Sequence, residues 1–224
     1  MNKKKIFIAV DTNKISRAKK IIKETQTKKI KVGYKFGLEF FYSKEGRKFI
    51  SKLKNQTIFL DLKLNDIPNT VLSAVKSLKN LKISYLTIHI SSGLSALKAL
   101  KKASRNIKIV GVTTLTSLNN KDLKEIGYNR KVNELVKHQA KLATKAKLDA
   151  IVCSGHEIRS VKKVFKKEII TPGIKIHSSK NDQKRVMRPT DAFAIGSNWL
   201  VIGRSITNGN IKKNIKNLLE ILED

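Results

Sequence analysis

Short apolar runs alternate along the chain with longer stretches whose apolar residues recur every three or four positions. The short runs, at 6–10, 30–36, 57–63, 85–90, 107–113, 150–153, 169–171 and 199–202, have the length of strands. The longer ones, at 14–24, 44–53, 69–78, 95–103, 132–146, 157–165, 190–195 and 211–222, predict helices. Val132, Leu135, Val136, Ala140 and Ala143 make one apolar face; Ile211, Ile215, Leu218, Leu219 and Leu222 make another. Eight strands alternating with eight helices predict an α/β chain folded as a parallel (β/α)8 barrel. A doubly wound open sheet would alternate too, but the element count favours the barrel, and no GxGxxG turn follows the first strand. No linker, internal repeat or low-complexity tail interrupts the pattern, so residues 1–224 read as a single barrel domain.

Barrel enzymes build their sites at the C-terminal ends of the strands. The polar residues fall there: Asp11 after the first, Lys35 near the end of the second, Asp61 and Lys63 on the third, His89 on the fourth, Thr113 to Ser117 after the fifth, Ser154 after the sixth, Thr171-Pro172-Gly173 after the seventh, and Gly203 and Arg204 after the eighth. The densest stretch is FLDLKLNDIPNT, residues 59–70. Asp61 and Lys63 stand two residues apart, so strand alternation points both to one face. Asp66 lies just beyond, in a loop that Pro68 shapes. Such a pair could be a surface salt bridge on an edge strand. On an inward face it is costly unless each charge is paired and hydrogen-bonded, which is how an electrostatic site is built. The four histidines show no metal-ligand spacing, and one cysteine cannot supply a thiolate cluster, so no metal site is expected. His89 reads as a hydrogen-bonded rim residue rather than a catalyst.

The net charge of +31, from 48 basic and 17 acidic residues, would by itself suggest a nucleic-acid partner. The lysines are spread over nearly every helix, however, and lysine on a solvent face costs little. With abundant Asn and Ile they fit the codon bias of an AT-rich genome, so no specific nucleic acid is expected, though the charge should attract a polyanionic substrate. No apolar run reaches the length of a membrane span. The run at 6–10 ends in Asp11 and reads as a first strand rather than a signal peptide. A single cysteine, Cys153, excludes an internal disulfide and fits a buried strand residue in a reducing cytoplasm.

Asp-x-Lys-x-x-Asp-Ile-Pro-Asn-Thr, complete here from Asp61 to Thr70, resembles the active-site motif of the orotidine 5'-phosphate decarboxylase family, in its short bacterial type. Matching pieces continue in family order from Asp11 to Arg204. The resemblance implies a TIM barrel of the ribulose-phosphate-binding type. It also implies decarboxylation of orotidine 5'-monophosphate to uridine 5'-monophosphate, the last step of pyrimidine nucleotide synthesis. It casts Asp11 as the ribose ligand and Thr70, Thr116 and Ser117 as substrate contacts, the last two in an LTS loop that closes over the pyrimidine. Gln183, Gly203 and Arg204 match phosphate ligands. Lys175 stands where the family has arginine; it keeps the charge but loses the bidentate fork, leaving its phosphate contact open. The second-strand lysine is Lys35 or Lys31, with Lys35 nearer the strand end. Loss of carbon dioxide leaves a C6 carbanion with little resonance stabilisation, and no electron-sink cofactor motif is visible. Fixed charges must then do the work. Lys63 would stabilise the carbanion and protonate C6, Asp61 would hold Lys63 charged, and Lys35 and Asp66 would complete the array. In the family the second aspartate comes from the partner subunit, implying a homodimer with shared sites. Magnesium-dependent sugar-phosphate relatives share the Asp-x-Lys-x-x-Asp core; Ile67-Pro68-Asn69-Thr70 and the LTS loop favour the nucleotide enzyme.

Overall fold

The computed structural model describes residues 3–176 and 186–223. Strands β1 (Lys5–Ala9), β2 (Lys31–Phe36), β3 (Thr57–Leu64), β4 (Tyr85–His89), β5 (Lys108–Val112), β6 (Ala150–Val152), β7 (Glu168–Thr171) and β8 (Trp199–Ile202) close into a parallel barrel in chain order, with β8 pairing β1. Every predicted strand forms, within one residue at either end. Around the barrel run α1 (Ile15–Glu24), α2 (Leu38–Tyr42), α3 (Gly46–Lys52), α4 (Pro68–Ser77), α5 (Gly93–Ala103), α6 (Asn120–Glu125), α7 (Val132–Lys145), α8 (Ile158–Val164), α9 (Pro189–Ala194), α10 (Arg204–Thr207) and α11 (Ile211–Glu223). The short helices α2, α6 and α10 are additions to the predicted set. Each is too brief to display a period of 3.6 residues. The predicted helix 157–165 begins as a 3-10 turn, Gly155–Glu157, capped by the Ser154 hydroxyl, which accepts from His156 N–H at 3.3 Å.

Strand alternation separates two cores. Ile8, Leu60, Ile88, Ile151 and Leu200 point outward and are buried beneath the amphipathic helices. Phe7, Phe59, Tyr85, Val110, Ile170 and Trp199 point into the barrel. Phe7 stacks on Trp199 with ring centroids 4.0 Å apart and tilts against Phe59 at 4.9 Å. Gly33 makes room for this plug: a Cβ there would stand 2.7 Å from two Phe7 ring carbons and 2.9 Å from the Thr57 carbonyl oxygen. The plug fills the N-terminal end of the barrel. At its base the Tyr85 hydroxyl donates to Glu168 Oε2 at 2.9 Å, as does Lys108 Nζ at 2.9 Å. Above the aromatic layer the inward side chains shrink to Ala9, Val112, Val152 and Val201, which leaves the C-terminal end open. Among the described residues no helix is long and apolar enough to cross a membrane.

Candidate active site

A cavity of about 580 Å³ occupies that open end. Its floor is apolar, from Ala9, Phe59, Val112, Val152 and Val201. Its charged wall comes from the ends of β1, β2 and β3. The register sets Lys35 opposite both Ala9 and Phe59, so Asp61, two residues beyond Phe59, stands beside it. Lys35 Nζ lies 3.4 Å from Asp61 Oδ2 and 3.4 Å from Asp11 Oδ1. Lys63 Nζ donates to Asp61 Oδ2 at 2.8 Å. The result is an alternating row, Asp11–Lys35–Asp61–Lys63, across three strands.

Asp61 is the hub. Burial alone would raise its carboxyl. The Lys35 and Lys63 ammonium groups, with hydrogen bonds from Lys63 and Thr87, outweigh that and hold it below the usual carboxylate range. His89, half-buried at the end of β4, is pushed down by burial and then by the Lys63 charge, so it is a neutral imidazole near pH 7. Its ring nitrogens hydrogen-bond no described residue, contrary to the expected rim contact. Cys153 is buried against the cavity, and burial followed by the Glu157 charge drives its thiol up, so it is no nucleophile at neutral pH.

Of the two lysines left open by the sequence, Lys35 lines the cavity and Lys31 does not. Lys31 shares its face but pairs with Lys5 at the first rung of β2, and its Nζ lies 5.8 Å over the Trp199 ring at the closed end. Four residues of strand, about 13 Å, separate the two lysines. Thr116, Lys175, Gly203 and Arg204 also line the cavity, with Gly203 close to Asp11: a Cβ there would stand 3.6 Å from Asp11 Oδ2. Ser117 and Thr70 are exposed and outside the cavity wall. Asp66 is exposed as well; its Oδ1 accepts from Ile67 N–H at 2.7 Å, and it makes no ion pair among the described residues. Gln183 lies outside the described residues. No group of three or more His, Cys, Asp or Glu residues among the described residues converges as a metal site.

Two site residues escaped the sequence reading. Thr87, fully buried on β4, contacts both Asp61 and Lys63. Gln139, buried on α7, accepts from Thr114 N–H at 2.8 Å and from the Thr114 hydroxyl at 3.2 Å, pinning the start of the LTS loop. Gln139 left a readable trace, a polar residue on an apolar helix stripe; Thr87 left none beyond its inward strand position.

A family model described as orotidine 5'-phosphate decarboxylase / HUMPS family matches residues 4–215. A Wolbachia pipientis protein named orotidine 5'-phosphate decarboxylase is 42% identical over 212 residues, covering 92% of this chain and 92% of its own. One of the same name from Ehrlichia chaffeensis is 43% identical over 209 residues, covering 90% and 89%. Among solved structures, orotidine 5'-phosphate decarboxylase from Lactobacillus acidophilus superposes with a TM-score of 0.84 at 28% identity, over 99% of this chain and 100% of that one. The Methanocaldococcus jannaschii enzyme complexed with inhibitor BMP shares the fold, with a TM-score of 0.80 at 24% identity over the full length of both chains.

Proposed function

We infer the chemistry of this site from the premise that the chain belongs to the orotidine 5'-phosphate decarboxylase / HUMPS family. It is a carboxy-lyase that converts orotidine 5'-monophosphate to uridine 5'-monophosphate and carbon dioxide in pyrimidine biosynthesis. The observation that carries the mechanism is the row Asp11–Lys35–Asp61–Lys63 at the open barrel end. The C6–carboxyl bond breaks, carbon dioxide leaves, and the electron pair stays on C6. The Lys63 ammonium stabilises that pair and then gives C6 a proton. Asp61 keeps Lys63 charged and aimed. Lys35 and Asp11 meet the ribose, while Lys175, Gly203 and Arg204 hold the phosphate, in the region after strands seven and eight where barrels commonly bind it. Binding energy from the phosphate helps close the LTS loop.

Asp66 is exposed and does not line the cavity of its own chain. Ile67 beside it in the chain, and Leu38 and Tyr42 on α2, are large apolar side chains left exposed. Both facts support a homodimer in which Asp66 completes the partner's site. The buried free thiol fits a cytoplasmic enzyme. The reading is tested by following loss of orotidine 5'-monophosphate absorbance with EDTA-treated, metal-free protein. Full turnover is expected. Activity that disappears with EDTA and returns with magnesium would favour the sugar-phosphate branch of the family, and no turnover with tight DNA binding at physiological salt would overturn the enzyme assignment.

A further inference from the structure

The strand that carries Asp61 and Lys63 is not regular. Leu60 pairs with Leu86 and Leu64 with Ile88, so the three residues Asp61 to Lys63 stand opposite the single residue Thr87. The excess is taken up by a bulge in which Lys63 adopts φ +48°, a left-handed conformation unusual for a residue with a side chain. A bulge interrupts the ladder, here between Leu60 and Leu64. Within it the Lys63 N–H is received by a side chain: Thr87 Oγ1 accepts it at 2.7 Å. The same hydroxyl donates to Asp61 Oδ1 at 3.2 Å. Asp61 Oδ2 in turn receives the Lys63 ammonium at 2.8 Å. The contacts form a closed ring: Thr87 to the Lys63 backbone, the Lys63 side chain to Asp61, and Asp61 back to Thr87. Thr87 itself is fully buried.

We propose that Thr87 is a positioning residue for the decarboxylation, fixing both the left-handed backbone of Lys63 and the carboxylate plane of Asp61. The proposal rests on the assignment of Lys63 as proton donor. A hydroxyl accepts and donates at once, which is what this point requires. Its oxygen is committed to the Lys63 N–H, so its hydrogen is directed to Asp61. That locks Oδ1 and leaves Oδ2 facing the two ammonium groups. Nothing in the ring waits for substrate, so the proton donor is held in place in the free enzyme. Valine has nearly the shape of threonine but can make neither bond.

The test compares Thr87→Val, Thr87→Ser and the unmodified enzyme by kcat per active site, with active sites counted by uridine 5'-monophosphate binding. Thr87 does not line the cavity, so the product Kd should stay within about threefold in both variants. In Thr87→Val, kcat should fall about 100-fold, the size of loss that a small misplacement of a reacting group produces. Thr87→Ser should recover most of it. If Thr87→Val does not fold, Thr87→Ser against Thr87→Ala isolates the same hydroxyl. A hydroxyl serving stability alone would lower the melting temperature but leave kcat per bound site intact, and that outcome overturns the proposal. So would parallel loss of kcat and product affinity, or a serine variant no better than the variant lacking the hydroxyl. Failure of the unmodified enzyme to turn over orotidine 5'-monophosphate would instead indict the assigned reaction.

Discussion

Lys63 is asked to do two things that conflict, and replacing it separates them. Its side chain carries the proposed proton, while its backbone sits at φ +48°. For a residue with a Cβ the left-handed region costs roughly 1–2 kcal/mol. Lys63→Ala keeps that cost and Lys63→Gly removes it, less the extra unfolded-state freedom of glycine, about 0.5–1 kcal/mol. Both variants lose the ion pair to Asp61, a contribution of about 1 kcal/mol or less because the Lys63 side chain is 34% exposed and solvent screens it. The pair loss is common to both and cancels in the comparison. Lys63→Gly should therefore be more stable than Lys63→Ala by about 0.75 kcal/mol, a separation of about 1.5–3 °C in Tm for a chain of this size. Turnover should be lost alike. A positioned general acid contributes about 10²–10⁴-fold, and a fixed charge facing a developing anion adds about 10²–10³-fold. Paired thermal melts and the orotidine 5'-monophosphate absorbance assay read both effects. If the glycine variant melts at or below the alanine variant, the bulge stores no strain. If either variant, folded, keeps kcat within about tenfold of the parent, Lys63 is not the proton donor.

Arg204→Ala should weaken binding of the phosphorylated substrate strongly and lower kcat, while barely changing the slow reaction of the nucleoside lacking phosphate; equal losses for both would remove Arg204 from the phosphate site. Mixing inactive Lys63→Ala and Asp66→Ala chains by unfolding and refolding together should restore about a quarter of parental activity, since half the dimers are mixed and each holds one intact site; no recovery with mixed dimers verified by native mass spectrometry would refute the shared site. Asp61, held below its ordinary value, contributes stability that is present above the unfolded carboxylate pKa of about 3.9 and is lost as pH falls through the lower folded value. Urea midpoints should accordingly separate the parent from Asp61→Asn at pH 7 and converge below pH of about 4, and a gap that persists in acid would show that the carboxylate charge is not its source.

The fold was legible because it is written in local periods. Strand alternation and helical stripes fixed all eight strands, and the barrel rule then assigned Asp11, Lys35, Asp61, Lys63 and Arg204 to one mouth. What stayed hidden is what depends on register. Lys31 and Lys35 are equivalent by alternation; only the closed ladder puts one beside the Trp199 plug and the other beside Asp61. The bulge has no period, since Leu62 and Leu64 still face outward as in an unbroken strand. Thr87 in YLTIH reads as an ordinary strand threonine until the bulge brings Lys63 N–H to it. The helix α6 did carry a signal, the capping box of Asn119 and Asp122, but six residues gave no stripe to extend it.

The charge inventory of the cavity gives the proposed reaction its direction. In the free chain Asp11 and Asp61 balance Lys35 and Lys63, so the row is neutral as built. Substrate adds a carboxylate beside Asp61, and a shared dimer site would add Asp66 as well. The site then holds more negative charge than its two ammonium groups can satisfy, within low-dielectric walls that strengthen every pair. That burial is tolerable only if favourable contacts elsewhere offset it; in the proposed reading Lys175 and Arg204, which also line the cavity, provide them through the phosphate. Loss of carbon dioxide converts the excess charge into an electron pair on C6, next to the one ammonium group already aimed by Asp61 and Thr87. Proton transfer leaves a ligand with no carboxylate, Lys63 recovers its proton from solvent, and the row is neutral again. In the proposed reaction the phosphate contacts act before these steps, by helping to close the site over the buried charges. Stabilisation of the charge that develops at C6 then falls to the row of four side chains at the ends of β1, β2 and β3.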